Sequence, residues 1–299
     1  MKTYLSIVVP VLALLTLGSC RTKQQDGPIK CMTFNIRYDN RGDSLNSWET
    51  RRDTIAKFIN SEHPDIFGLQ EVLANQLHDL TGSLPSYDYY GVGRDDGDEA
   101  GEYAPVFWDK ERFAPVDKGV FWLSQYPDSA GFIGWDGACT RIATWVRLRD
   151  TETGDSLCLL NTHLDHVGAE AQVNGIDLIL GRLEAIAGDG PVIMTGDFNV
   201  NATSEAYRHA TSQPGLLVDS YTKAGRRDGV AYTYHDFGRI PEGERQKIDY
   251  IFVSPSFDVT QTWIPCENTT GTLMSDHNPV ITLLDYQNHT TTGHDQQSY

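Results

Sequence analysis

Apolar residues recur along the chain with two spacings, every second position or every third to fourth position. Alternation and short apolar runs predict strands, whereas the wider spacing predicts helices. The predicted strands are 29–36, 65–69, 87–92, 104–108, 113–123, 142–149, 157–161, 192–195, 248–253, 259–263 and 280–284. The predicted helices are 47–61, 73–80, 168–187 and 204–211. Helices interleaved with parallel-looking and antiparallel strands indicate a layered α/β (α+β) protein with mixed β-sheets.

The first twenty residues differ in character from the rest. Lys2 precedes an uncharged stretch, 4–19, which is short for a membrane span but typical of a signal-peptide core. The segment LGSC at 17–20 resembles a bacterial lipobox, so we predict a lipoprotein signal peptide at 1–19. A lipid on Cys20 would then anchor the chain to a membrane of the bacterial cell envelope, facing the periplasm or the exterior. The alternative interpretations are an ordinary secretory signal and an uncleaved anchor.

The remainder of the chain reads as one domain. Residues 20–28 form a polar tether, 29–286 a single predicted catalytic domain without repeat or composition break, and 287–299 a polar C-terminal tail. We expect a monomer. Four further cysteines in an exported protein permit disulfides, but two of them lie in predicted strands, where cysteine is usually a buried hydrophobe. We therefore expect mostly free thiols at Cys31, Cys139, Cys158 and Cys266.

The charge balance bears on the substrate. Acidic residues outnumber basic ones 41 to 24, which gives a formal net charge of −17. Proteins that bind long nucleic acids neutralise phosphates with a basic surface, and this chain has no run of Lys or Arg. A nucleic-acid partner is therefore disfavoured, although local basic groups in a groove keep it possible.

Clusters of Asp, His and Asn stand where predicted strands end. They are NTHLDH at 161–166, GDFN at 196–199 and SDHNP at 275–279. Each cluster alone could be a strand-end turn, a structural histidine or an ion pair. Repeated at successive strand ends, they indicate one polar site at the sheet edge where open α/β sheets bind ligands. So many oxygen donors suit a hard cation such as Mg²⁺.

These clusters belong to an ordered set with TFN at 33–35, LQEV at 69–72 and IDY at 248–250. The set resembles the endonuclease/exonuclease/phosphatase superfamily, which includes deoxyribonuclease I, in what looks like an uncharacterised bacterial branch. The resemblance runs from about residue 29 to residue 284. It implies a four-layer α/β/β/α sandwich with two mixed β-sheets packed face to face, and metal-dependent cleavage of phosphate esters.

The resemblance also implies roles for single residues. Glu71 corresponds to the main Mg²⁺ ligand, with Asn35 beside it and Asp276 as a further ligand; Mn²⁺ could substitute. Asp197 would orient or deprotonate the attacking water, and Asn199 would hydrogen-bond that water or the phosphoryl oxygens. A carboxylate in this position supplies general-base catalysis worth roughly 10²–10⁴-fold.

Two histidines are expected to contact the scissile phosphate. His277 would be held by Asp249, and a carboxylate partner orients the ring and raises its pKa. His163 would contact the same phosphate.

Substrate-binding residues are less well marked. Arg141 directly precedes a predicted strand and is suited to clamp a phosphate, although a surface ion pair is the alternative. Asp165 and His166 are assigned to the substrate side of the site. The Gly-rich segment 91–103 reads as a long loop placed where superfamily members vary in specificity, or as a solvated acidic loop.

The sequence thus predicts an exported Mg²⁺-dependent phosphoesterase, either a phosphodiesterase or a phosphatase. A small, glycan-linked or headgroup phosphate ester is the expected substrate, because the balance of charge is acidic and an envelope location is predicted. A secreted metal-dependent nuclease is one alternative. A non-catalytic protein that binds a phosphate ligand is the other.

Overall fold

The computed structural model describes residues 27–212, 215–266 and 273–287. The predicted signal peptide 1–19, Cys20 and most of the tether lie outside the described residues, as does the predicted tail from 288 onward. Among the helices that are described, none combines the length and the apolar character that a bilayer crossing requires.

The described residues form thirteen strands and five α-helices. The strands are β1 (Ile29–Asn35), β2 (Ile66–Gln70), β3 (Tyr87–Tyr90), β4 (Val106–Asp109), β5 (Phe113–Trp122), β6 (Ile142–Asp150), β7 (Ser156–His163), β8 (Val192–Asp197), β9 (Val218–Asp219), β10 (Arg226–Gly229), β11 (Asp249–Val253), β12 (Phe257–Ile264) and β13 (Val280–Tyr286). The helices are α1 (Trp48–Glu62), α2 (Ala74–Ser83), α3 (Ala169–Ala187), α4 (Glu205–Ser212) and α5 (Ser220–Lys223), with 3₁₀ turns at Arg41–Asn46 and Glu242–Glu244.

The strands form two mixed sheets. One has the order β10-β12-β13-β1-β2-β4-β3, and the other has the order β5-β6-β7-β8-β11-β9. Parallel pairs occur within both sheets, β1 with β2 and β7 with β8, whereas most other neighbours are antiparallel. The predicted sandwich of two mixed sheets with helices is confirmed.

Three apolar clusters account for the four layers. One lies between the sheets and includes Ile66 and Leu159. A second packs α3 onto the six-stranded sheet through residues such as Ile176, and a third packs α1 onto the seven-stranded sheet through Ile59. The central strands are buried on both faces, which explains why they read as nearly continuous apolar runs.

A buried polar network joins the two sheets close to one edge. The Gln70 amide donates to Asn161 Oδ1 at 2.7 Å, and the Thr195 hydroxyl donates to the same oxygen at 3.0 Å. Asn161 in turn donates to the Leu69 carbonyl at 2.7 Å. Because buried polar groups must be paired, this network admits one register of the sheets. It holds the ends of β1, β2, β7 and β8 together.

Most predicted elements are found, with ends shifted by a few residues, as for the strand predicted at 104–108 that begins at Val106. The sequence pattern missed β9, β10 and α5. The segment β10 reads RRDG, is largely exposed and sits at a sheet edge, so it carries no apolar signal. The four cysteines within the described ranges are free thiols, as expected.

Candidate active site

The polar clusters converge on one edge of the sandwich. Asn35 ends β1, His163 ends β7 and Asp197 ends β8. Glu71 follows β2 directly, and Asp249 opens β11 in register with Asp197. The convergence creates a cavity of about 470 Å³. Its lining comprises Arg37, Tyr38, Glu71, Arg94, Glu102, Cys139, Arg141, His163, His166, Asp197, Asn199, Tyr234, Ile248, Asp276 and His277.

Asp197 lies at the centre of the site. Its Oδ2 accepts a hydrogen bond from Asn35 Nδ2 at 2.9 Å, and its Oδ1 accepts one from the Asn199 backbone N–H at 2.8 Å. The Nε2 atoms of His163 and His277 lie 3.6 and 3.7 Å from Oδ2. Burial and the nearby Asp249 carboxylate raise the pKa of Asp197 to about 7, although His277 opposes the shift. Such a carboxylate is suited to accept a proton near neutral pH.

His277 is held by Asp249. Asp249 Oδ2 lies 2.9 Å from His277 Nδ1, and both side chains are buried. Burial disfavours the imidazolium, but Asp249 and then Asp197 outweigh it and raise the pKa of His277 to about 10. The ring therefore carries a proton on Nδ1 toward Asp249 and another on Nε2 toward Asp197. Tyr234 packs against its face with ring centroids 4.9 Å apart.

His163 has the opposite character. Asn199 Nδ2 lies 2.9 Å from His163 Nε2 and also donates to the Leu164 carbonyl at 3.0 Å. That carbonyl can only accept, which identifies the Asn199 nitrogen and makes His163 Nε2 an acceptor. Burial, then the positive charges of Arg141 and Arg94, holds the pKa of His163 well below its usual value. The ring is neutral, with its proton on Nδ1.

Glu71 and Asp276 form an acidic pair near Arg37. Arg37 Nη1 lies 4.0 Å from Glu71 Oε2 and 3.7 Å from Asp276 Oδ2. Burial raises the pKa of Asp276, partly offset by His277 and reinforced by Glu71. Arg37 thus lies near both acids, and carboxylate oxygens are also the ligands that hard divalent cations take. The residues present therefore fit a divalent metal ion.

Asn35 faces this pair in an unexpected way. The Arg37 backbone N–H donates to Asn35 Oδ1 at 2.9 Å, which fixes the orientation of the amide. Its Nδ2 then donates to Glu71 Oε1 at 3.0 Å as well as to Asp197. In this arrangement Asn35 links the two carboxylates, and its assignment as a metal ligand stays a prediction.

A second group of ligand atoms lies deeper in the site. Asp197, Asp249 and His277 offer atoms within 4.8 Å of one another. His277 Nδ1 is already hydrogen-bonded to Asp249, so a metal ion bound there would have to displace that proton. Glu71 and Asp276 as metal ligands stay a prediction.

The predicted substrate residues separate into two kinds. Arg141 and His166 line the cavity, with Arg141 Nη2 3.1 Å from His166 Nδ1. Asp165 does not line the cavity. Its carboxylate accepts backbone N–H groups from Ala138, Cys139, Val167 and Gly168 at 2.8–3.2 Å. That geometry favours loop stabilisation, and substrate contact by Asp165 stays a prediction.

Sequence reasoning missed several lining residues. Arg37 and Tyr38 follow β1 without any marked pattern of their own. Arg94 and Glu102, in the Gly-rich loop, pair bidentately at 2.7 and 3.0 Å and lie beside His163. Opposite charges eight residues apart within one loop are the only sequence signal that could have indicated this pair.

Backbone strain marks the same edge. Arg37, Glu71 and Asn199 have φ angles of 58°, 61° and 52°, in the left-handed region that residues with a Cβ rarely adopt. Such conformations persist where the surroundings fix them, and they concentrate at functional sites. At each of these three residues, the conformation directs a side chain or a backbone N–H toward the edge of the cavity.

Residues 32–277 match the family described as Endonuclease/Exonuclease/phosphatase. The chain belongs to this family. Its members are metal-dependent phosphoester hydrolases, and so is this chain. The alternative of a non-catalytic binding protein is therefore wrong.

Known relatives agree with this assignment. An endonuclease/exonuclease/phosphatase from Bacteroides vulgatus is 47% identical with a TM-score of 0.85, covering 87% of this chain and 100% of that one. A mannosyl-6-phosphatase from Bacteroides thetaiotaomicron is 36% identical with a TM-score of 0.81, covering 86% and 100%. An uncharacterized protein of Acanthamoeba polyphaga mimivirus is 28% identical over 81% of this chain and 94% of its own length. The nocturnin of Drosophila melanogaster is longer, and the match covers 36% of it.

Proposed function

We propose that the chain hydrolyses a small or glycan-linked phosphate ester with Mg²⁺ as its metal. The observation that carries this proposal is the placement of the buried Asp197 carboxylate beside the Glu71–Asp276 pair in one cavity of about 470 Å³. The resemblance to a mannosyl-6-phosphatase at 36% identity supports a sugar phosphate as the substrate class.

Glu71 and Asp276 would hold the metal ion. Bound Mg²⁺ neutralises negative charge on phosphoryl oxygens and on the leaving oxygen. The choice of Mg²⁺ rests on the all-oxygen donor set, because thiolate and imidazole ligands select other metals.

Asp197 acts as the base that receives a proton from the attacking water. Asp197 lines the cavity, and the hydrogen bond from Asn35 Nδ2 to its Oδ2 orients the carboxylate. With a pKa raised to about 7 by burial and by Asp249, the carboxylate is basic enough to accept a proton and still ionised in part at neutral pH. The Asn199 backbone N–H holds the second oxygen.

His277 and His163 serve the phosphoryl group differently. His277 is charged and donates from Nε2, because Asp249 holds its Nδ1 side. A charged donor stabilises negative charge that grows on phosphoryl oxygens during attack. His163 is neutral and donates from Nδ1, which has no partner within the described residues.

The test is hydrolysis by the purified full chain. We expect turnover of p-nitrophenyl phosphate, bis-p-nitrophenyl phosphate and mannose 6-phosphate with Mg²⁺, recovery with Mn²⁺, and none with EDTA. Glu71→Gln and Asp197→Asn should each lower the rate at least about 10²-fold. Metal-independent turnover, or unchanged rates in both variants, would refute the proposal. Efficient nicking of plasmid with no ester turnover would favour the nuclease alternative.

We also propose that the chain is exported and anchored through a lipid on Cys20. The support is the sequence of residues 1–20 alone. Expressed in full in a bacterial host, the chain should fractionate with membranes, and Cys20→Ser should release it into the soluble fraction. A soluble wild-type chain would contradict the anchor.

A further inference from the structure

Arg141 carries a buried positive charge that the described residues compensate only in part. Its exposed fraction is 5%, and its Nε and Nη1 atoms have no hydrogen-bond partner within the part of the chain that the structure describes. Only Nη2 is engaged, with Nδ1 of His166. Buried guanidinium donors left unpaired are unfavourable, so the arrangement indicates that an anion binds them.

The nearest carboxylate does not remove this need. Asp165 Oδ2 lies 3.7 Å from Arg141 Nε, beyond hydrogen-bonding distance. Both Asp165 oxygens are already occupied by backbone N–H groups. Arg94, Glu102, Arg141 and His163 form one wall of the cavity. The charge of Arg94 is neutralised by its bidentate pair with Glu102, although its Nε also has no partner within the described residues. Arg141 is thus the cation of the wall that remains available to a ligand.

Sheet register places Arg141 beside the phosphoryl site. Arg141 directly precedes β6, whose Ala143 pairs with Thr162 of β7, while His163 pairs with Asp197 of β8. Arg141 is therefore about one strand from His163 and two strands from Asp197, at roughly 4.8 Å per strand. His163 therefore lies between Arg141 and Asp197, the proposed base. Arg141 is within reach of a phosphoryl group that contacts His163.

Space at this wall is small. An adjoining recess of about 10 Å³ is lined in part by Arg94, Glu102, Arg141 and His163, which also line the main cavity. A recess of that size accommodates about one water-sized group. A single oxygen atom is of that size.

We propose that Arg141 binds the third non-bridging oxygen of a phosphomonoester and makes the chain selective for monoesters over diesters. This inference rests on the proposed function of the same site. A monoester has three such oxygens and a charge of about −1.5 to −2 at pH 7, whereas a diester has two oxygens and a single charge. A diester would present a carbon substituent where the third oxygen of a monoester binds, and would leave the guanidinium unpaired.

The test compares two chromogenic substrates with the full chain in Mg²⁺. Wild type should prefer p-nitrophenyl phosphate to bis-p-nitrophenyl phosphate in kcat/KM by at least about tenfold, the worth of one charged hydrogen bond. Arg141→Gln should lower kcat/KM for the monoester on the order of 100-fold and change the diester value less than about threefold. Arg141→Lys should recover part of the monoester rate, since lysine keeps the positive charge but lacks the planar set of donors that a guanidinium offers.

Inorganic phosphate gives a readout besides turnover of the monoester. As a competitive inhibitor of diester hydrolysis, it should bind about tenfold or more weakly to Arg141→Gln than to wild type. Arg182→Gln is the matched control, because Arg182 is a partly exposed arginine that pairs with Asp128 at 2.9 Å and does not line the cavity. It should leave both substrates and the phosphate inhibition unchanged.

Three outcomes would overturn the inference: an equal loss on both substrates, no loss on either, or unchanged phosphate inhibition in Arg141→Gln. If activity falls equally on both substrates and the thermal unfolding midpoint of Arg141→Gln is close to that of wild type, Arg141 has a general role in binding. If Arg141→Gln is unfolded, Arg141→Lys decides, because an unchanged ratio of the two substrates in that variant also rejects the role. Failure of the proposed function is distinct, since wild type would then hydrolyse neither ester with metal.

Discussion

Asp249 Oδ2 lies 2.9 Å from Nδ1 of His277, and the two side chains are almost fully buried together. The carboxylate fixes the ring so that Nε2 points toward Asp197 and the cavity. Sequence separates the pair by 28 residues, yet they act as a unit.

Replacing the orienting carboxylate should impair turnover more than binding. We expect Asp249→Asn to lower kcat about 10²-fold and to change KM less than about threefold, because a charged donor is lost from the transition state. Steady-state kinetics with Mg²⁺ measures both. Asp258→Asn is the control, since Asp258 is exposed on β12. Equal kinetics for the two variants would contradict the role of Asp249.

The metal assignment predicts a change in affinity as well as in rate. Glu71→Gln keeps shape and removes one charged ligand, so we expect Mn²⁺ to bind about 10–100-fold more weakly by calorimetry. Glu62→Gln serves as control, because Glu62 ends α1 next to Lys30 and does not line the cavity. Undiminished Mn²⁺ affinity in Glu71→Gln would move the metal to the group formed by Asp197, Asp249 and His277.

An added methyl group is expected to change the free energy of unfolding in opposite directions at a glycine between the sheets and at a glycine on α3. A Cβ at Gly68 on β2 would overlap Thr195 Oγ1 and the Asn161 side chain, which belong to the network between the sheets. We expect Gly68→Ala to lower the free energy of unfolding by about 3 kcal/mol or more. Gly181→Ala, in open space within α3, should raise it by about 0.5–1 kcal/mol. Urea unfolding of both variants measures the contrast, and equal effects would refute it.

Lys247 predicts how stability varies with alkaline pH. Burial lowers the pKa of Lys247 to about 8, against the attraction of Asp219, whose Oδ2 lies 3.5 Å from Nζ. The unfolded chain, with an ordinary lysine pKa near 10.4, binds more protons between pH 8 and that value. Stability contributed by this group therefore rises with pH across that window.

Lys247→Met isolates this contribution. The free energy of unfolding of wild type relative to Lys247→Met should increase by about 1–3 kcal/mol between pH 7.5 and pH 10. Lys118→Met is the control, because Lys118 is exposed on β5 and no such change is expected. A difference that stays flat or falls with pH would show that Lys247 is not held with a lowered pKa.

The elements that position the catalytic groups could be predicted because their signals are local. β1, β7 and β8 are each rich in apolar residues and end in Asn35, His163 and Asp197, so both features stand side by side in sequence. The edge strand β10 could not be predicted, because an exposed edge makes no demand for apolar side chains.

The sequence predicts which residues form the site better than it predicts how their side chains are arranged. The convergence of His163, Asp197 and His277 was expected, and the Nε2 atom of each histidine lies within 4 Å of Asp197 Oδ2. Which way the Asn35 amide faces could not be read from sequence, since the Arg37 backbone N–H decides it. Sequence spacing also does not reveal the four backbone N–H groups that donate to Asp165, whose contact with substrate stays a prediction.

The residues proposed for proton transfer and phosphoryl contact stand at or next to strand ends joined by the buried network, whereas Arg94, Glu102 and Arg141 are contributed by loops that line one wall of the cavity. The proposed chemistry and the proposed selectivity are thus assigned to separable parts of one molecule. Evolution can remodel the loops and acquire new substrates while the reaction centre stays intact. Grafting the two loops, 91–103 and 131–141, between family members is accordingly a rational route to exchanging their preferences.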